Sequence, residues 1–210
     1  MLEQYLTIKE QGECETIIQK SRFICYIARA EDETTAQNFI AQIKKEHWNA
    51  THNCSAYLIG ARDEFQKAND DGEPSGTAGV PMLEVLKKRQ LKNVVAVVTR
   101  YFGGTKLGAG GLVRAYGGAV SKTCDEIGIV ERKLATIVHF TIEYSQLGKF
   151  ENLLEQRNYQ LMDKQFTEMV TLSVFVDQDD LSSFKAWLTE ISSGQVSCTE
   201  GEQKYREKDV

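Results

Sequence analysis

The stretch VVAVVTRYFGGTKLGAGGLVRAYG, from Val94 to Gly117, decides how the chain is built. Its first six residues are a continuous apolar run, the pattern of a strand buried on both faces. Residues 103–111 hold Gly103, Gly104, Gly108, Gly110 and Gly111, too many glycines for a regular element, and predict a loop. Helical spacing resumes after it. Val113, Tyr116, Val120, Cys124 and Ile127 fall on one face, and Gly128 is a natural stop. Strand, glycine loop and helix in succession imply an α+β domain with helices laid on a sheet.

On the N-terminal side, residues 14–18 and 22–28 read as two strands joined at Lys20 and Ser21. Residues 34–46 place Ala36, Phe39, Ile40 and Ile43 at helical spacing, with Thr34 or Thr35 as the N-cap. Residues 53–59 and 64–68 suggest a hairpin. Residues 69–79 are polar and interrupted by Gly72, Pro74, Gly76 and Gly79, so they form no regular element. Pro81 suits the first turn of a helix through Leu86.

On the C-terminal side, residues 135–142, 146–157, 159–166, 169–176, 181–191 and 196–205 read as strand, helix, strand, strand, helix, strand. That βαββαβ order is the ferredoxin-like one. Two domains are therefore expected, residues 1–132 and 133–210. Charge divides with them: residues 1–133 hold 18 Lys/Arg and 17 Asp/Glu, against 7 and 13 in residues 134–210. The acidic second part is ill suited to grip phosphate alone.

The whole chain of 210 residues carries a formal charge of -5, which excludes an obvious nucleic-acid binder by bulk charge. No apolar run approaches the roughly 20 residues of a membrane helix, and the polar N-terminus is not a secretory signal. No membrane partner is expected. The five cysteines lack a CxxC pair and zinc spacing, so they read as reduced thiols of a cytoplasmic protein, with no metal site and no cofactor implied.

Charge and glycine concentrate between residues 70 and 118. No acidic residue occurs from 85 to 124, while Lys87, Lys88, Arg89, Lys92, Arg100, Lys106, Arg114 and Lys122 do. Glycine lets backbone N–H groups approach a ligand, and a helix start adds partial positive charge. Arg100, Gly103, Gly104, Lys106, Gly108, Gly110, Gly111 and Arg114 are thus candidate anion-binding residues, for phosphate, carboxylate or a nucleic-acid backbone. The alternative is that these glycines allow close helix–sheet packing. A Walker loop is excluded because Ala109 and Gly110 follow Gly108, and the dinucleotide fingerprint fails at Val113.

The acidic counterpart, DDGEPSGTAG at 70–79, offers Asp70, Asp71, Glu73, Ser75 and Thr77. It reads as a shaped recognition loop, with a magnesium site or a plain exposed turn as alternatives. His52 and Cys54 share a strand face and could meet, as a nucleophilic pair or as a core thiol beside a hydrogen-bonded histidine. No catalytic residue is assigned.

These segments, with THNCSAY at 51–57 and the run Arg100, Tyr101, Phe102, Gly103, Gly104, then Leu107 and Gly108, closely resemble the hallmark motifs of the IMPACT (YigZ-type) family. The resemblance covers roughly residues 17–128 by motif and the rest by layout. It implies a first domain with the βαβ-type fold shared by a ribosomal-protein domain and translation GTPases. It implies a second domain like the fifth domain of elongation factor G. Eukaryotic relatives are translational regulators that bind a scaffold protein through an additional N-terminal domain; the match here is to a bacterial-type member without it. For such members the resemblance implies RNA or ribosome association, with a possible protein partner in translational control. Three functions remain open: a translation-associated binder of RNA, an enzyme on a phosphorylated or carboxylated metabolite, and a protein-interaction module.

Overall fold

In the computed structural model, which describes residues 2–210, the elements run β1 (Gln4–Ile8), β2 (Gly12–Ile18), β3 (Ser21–Arg29), α1 (Glu33–Glu46), β4 (His52–Ile59), β5 (Phe65–Asn69), α2 (Gly79–Lys88), β6 (Val94–Tyr101), α3 (Gly108–Ile127), β7 (Ile129–Ile142), α4 (Leu147–Gln156), β8 (Leu161–Phe166), β9 (Val170–Asp177), α5 (Leu181–Ile191) and β10 (Cys198–Asp209). Two compact units result. One runs to Glu131 and takes in Lys208–Val210; the other is Arg132–Glu207.

The first unit is built on a sheet in the order β2-β3-β6-β4-β5, antiparallel throughout. The VVAVVT run lies in β6 at its centre, buried on both faces. One face carries α1: Ile24, Tyr26, Val95 and Val97 pack on Phe39 and Ile43. The other carries α2 and α3: Phe23, Cys25, Ala96 and Val98 pack with Met82, Leu86, Tyr116 and Val120. Each fully buried large side chain contributes about 1.5–3 kcal/mol, so this double-sided core explains why the central strands are almost wholly apolar. β3 and β4 both lie antiparallel to β6 and so parallel to each other, which makes β3-α1-β4 a crossover unit.

Several local expectations need correction. The N-cap of α1 is Asp32, not Thr34 or Thr35; its carboxylate accepts the Thr35 N–H at 2.7 Å. The β2–β3 turn is Gln19–Lys20, both with positive φ, which matches the sheet twist. Val113 is not on the inner face of α3 but 40% exposed; Leu112 and Ala115 pack inward instead. β1 has no counterpart in the sequence reading, and β7 begins at Ile129, so the chain passes between units inside a strand rather than a loop.

The second unit has the βαββαβ order, with β10 beside β7, then β9, then β8. This is the ferredoxin-like arrangement. Its core joins Phe140, Phe150, Phe184, Trp187 and Leu188 under the sheet.

Candidate functional site

The register of the first sheet sets the site. His52, at the start of β4, lies opposite Arg100 near the end of β6, and Phe23 lies opposite Arg100 on the other side. The Arg100 guanidinium is buried. Its Nη1 donates to Glu73 Oε1 at 2.7 Å, and Nη2 reaches Ser21 Oγ at 3.4 Å. The guanidinium also lies 5.3 Å from the Phe23 ring centre and 5.4 Å from that of Phe102. Tyr116, from α3, donates its hydroxyl to the same Glu73 oxygen at 2.7 Å. Burial, with Cys54 and Glu73 close by, pushes the Tyr116 pKa upward, so the hydroxyl stays protonated and remains a donor.

Glu73 Oε2 stands 3.8 Å from His52 Nε2. His52 Nδ1 lies 2.8 Å from the Asp71 carbonyl oxygen. A carbonyl only accepts, so Nδ1 carries hydrogen, and in the neutral ring Nε2 is left as the acceptor. Cys54 sits on the same strand and donates its thiol to the Asp70 carbonyl at 2.9 Å. Burial pushes its pKa up to about 12, which removes it as a nucleophile at neutral pH. His52 and Cys54 therefore both hold the 70–79 loop rather than each other.

That loop is ordered from within. Asp70 accepts the backbone N–H groups of Gly76, Ala78 and Gly79 and so closes the N-terminus of α2 from a distance. Its burial opposes charge, but these three donors outweigh it and hold the pKa below the ordinary value. Asp71 accepts from Lys44 at 2.6 Å and from the Asn53 N–H at 2.7 Å. Glu73 meets Arg100, and the buried Thr77 donates to the Pro74 carbonyl at 2.6 Å. Ser75 is the one member of the set that is exposed. Among the described residues no cluster is arranged to hold a metal ion.

The loop and the glycine segment face one another. A cavity of about 390 Å³ is lined by Thr51, His52, Glu73, Pro74, Arg100, Phe102, Lys106, Leu107, Gly108, Ala109 and Leu112. Its base carries the Arg100–Glu73 pair; its wall is apolar; its rim carries Lys106 and the first turn of α3. The N-cap of α3 is Leu107, whose side chain offers no acceptor to the free N–H groups.

The glycines separate by role. A Cβ on Gly103 would come within 2.0 Å of the Lys20 carbonyl carbon, so packing alone requires glycine there. Gly104 and Gly108 have positive φ, and a Cβ on Gly111 would come within 3.0 Å of the Leu107 side chain. A Cβ on Gly110 would meet only the Arg114 guanidinium, in ordinary contact at 3.7 Å.

The basic run is largely neutralised in space. Lys87 pairs with Glu84, Arg89 with Asp125, Lys92 with Asp63, Arg100 with Glu73 and Lys122 with Glu126. Of the basic run, Lys88, Lys106 and Arg114 have no acidic partner among the described residues; Lys106, just before α3, lines the cavity, while Arg114 lies in the second turn of the helix, outside the lining. The sequence suggested a broad basic surface; the fold leaves a small one beside a cavity.

The Impact N-terminal domain model matches residues 19–124, and a domain of unknown function, DUF1949, matches residues 140–195. The chain is 57% identical over 210 residues to the IMPACT family member YvyE of Bacillus subtilis, covering all of this chain and 97% of that protein. It is 37% identical over 181 residues to the IMPACT family member YigZ of Escherichia coli, covering 85% and 89%. A crystal structure described as that of a hypothetical protein superimposes with a TM-score of 0.62 at 33% identity, covering 96% of this chain and 99% of that one. On the strength of the first domain match and of relatives similar along nearly their whole length, this chain belongs to the IMPACT family.

Proposed function

We propose that the protein is a translation-associated regulatory protein of the cytoplasm that binds RNA through the cavity between the 70–79 loop and α3. One observation carries the reading. The uncapped N-terminus of α3, with Lys106 just before it, opens onto a cavity whose wall is apolar and whose base is a buried ion pair, and the exposed Arg114 stands one turn further along the helix. A phosphate at the helix N-terminus and a base against Phe102 would fill both parts at once. A first unit like the domain of ribosomal proteins and translation GTPases, and a second like the fifth domain of elongation factor G, are what the family resemblance implies, and they belong to the same reading of action at the ribosome. A protein partner in translational control belongs to the same reading.

The test is equilibrium binding of a labelled single-stranded RNA across a salt series. Affinity should fall with salt, with a log–log slope of about -0.7 for each phosphate contacted. Absence of binding at low salt contradicts the proposal. A second reading rests on the meeting of His52, Glu73 and Arg100 in one cavity: an enzyme acting on a phosphorylated or carboxylated metabolite, with His52 Nε2 as the proton acceptor. It is favoured if free nucleotides or phosphorylated metabolites stabilise the protein against heat while RNA does not.

A further inference from the structure

The turn that follows α1 presents Trp48 with 82% of its surface exposed. Nothing in the fold needs an indole there, and an exposed tryptophan of this degree contributes little to folding. The turn itself is held firmly. Ala50 N–H donates to the His47 carbonyl at 3.0 Å, and Asn53 Nδ2 donates to the same oxygen at 3.2 Å. The Tyr101 hydroxyl reaches Asn49 at 3.3 Å, and His47 Nδ1 lies 2.8 Å from that hydroxyl. Thr51 N–H donates to the Arg100 carbonyl at 2.9 Å, and the Thr51 hydroxyl accepts the Phe102 N–H at 3.0 Å. An exposed aromatic is thus mounted on a rigid base, which lowers the entropy lost when something stacks on it.

The base of this mount is the edge of the cavity. Thr51 and Phe102 both line it, and Phe102 is itself 46% exposed. Three residues of chain reach at most about 11 Å, so Trp48 stands within that distance of Thr51. Two exposed aromatic rings and the Lys106 ammonium therefore lie toward one end of the first sheet, where β4 starts and β6 ends. Exposed π-faces beside a cation fit a chain of phosphates carrying unpaired bases, and neither a purely apolar protein surface nor a compact duplex offers both.

We infer that Trp48 is a base-stacking platform for single-stranded RNA, receiving a base next to the nucleotide held in the cavity. This rests on the RNA reading of the cavity and extends it to a second, aromatic contact. The other tryptophan, Trp187, is buried in the core of the second unit, so changes in exposed-indole emission report on Trp48.

The experiment titrates the full-length protein with a short labelled oligoadenylate, following intrinsic fluorescence and RNA anisotropy together. Quenching of the exposed indole is expected on binding. Trp48→Ala should abolish the quenching and weaken binding about tenfold, with the salt slope unchanged, and Trp48→Phe should keep most of the affinity. An RNA duplex, whose bases are already stacked, should not quench. If oligoadenylate binds with its full salt dependence while Trp48 emission and the Trp48→Ala affinity are unmoved, the platform is refuted and the cavity reading stands. If a duplex quenches equally, the platform is likewise refuted. If no RNA binds at low salt, both fail.

Discussion

Arg100 and Glu73, 27 residues apart in sequence, meet at 2.7 Å with both side chains almost wholly buried. The pair ties the end of β6 to the 70–79 loop and gives the cavity its base. A buried pair of this kind is costly to break from one side, because the remaining charge is left without compensation.

Glu73→Ala should therefore destabilise the protein by about 3–5 kcal/mol, and Arg100→Ala by a similar amount. Denaturant unfolding of the purified variants measures this. Losses below about 1 kcal/mol, the range of exposed pairs, would contradict the burial argument. It follows that neither substitution is a clean probe of ligand binding, and that Lys106 and Arg114, which are exposed, are the residues to change.

Asp70 stabilises the fold through its charge. Its folded pKa lies below the ordinary value of 3.8, because the N–H groups of Gly76, Gly79 and Ala78 outweigh the opposing effect of burial. The stabilisation is present above the unfolded pKa and is lost as pH falls through the depressed folded one. Unfolding curves in acid should thus be shallower in pH for Asp70→Asn than for the unaltered protein. Parallel curves would show that the three hydrogen bonds do not favour the charged form.

Two glycines of the glycine-rich segment should respond oppositely. Gly103→Ala places a methyl group against the Lys20 backbone and should lower the melting temperature sharply. Gly118, mid-helix and exposed with open space around it, should tolerate alanine and gain about 0.5–1 kcal/mol of stability. Thermal unfolding of both variants decides the matter. Equal effects would contradict the separation of packing glycines from permissive ones.

Thiol reactivity offers an independent check on the core. Cys14, Cys25, Cys54 and Cys124 are buried, and burial pushes Cys25 and Cys54 to about 12 and Cys124 to about 11. Only Cys198 is partly exposed. A thiol reagent at neutral pH should modify Cys198 rapidly in the native protein, and the others only after denaturation. Rapid labelling of Cys54 in the native state would revive the nucleophile reading.

What the sequence disclosed were features written in local pattern. The run 94–99 announced a strand buried on both faces, and Gly128 announced the end of α3. The register of α3 slipped at Val113 because an exposed valine looks like a buried one until the facing surface is known. Asp32 was missed as a cap because two threonines inside the helix compete for the same role in sequence. β1 was missed because its partner, β7, lies far along the chain. The site was only half legible. Glycine and charge marked the segment, but Asp63, Glu73 and Asp125 come from outside the basic run to neutralise Lys92, Arg100 and Arg89. The meeting of His52 with Arg100 depends on the β4–β6 register, which no local pattern encodes.

The most direct test of the account compares single-stranded RNA binding by the unaltered protein, by the double variant Lys106→Ala with Arg114→Ala, and by a control, Lys149→Ala, in the acidic second unit. The double variant should remain folded, bind more weakly and lose about 0.7 from its log–log salt slope for each phosphate contact removed, while the control should match the unaltered protein. Equal affinity and equal salt dependence in all three proteins would contradict it.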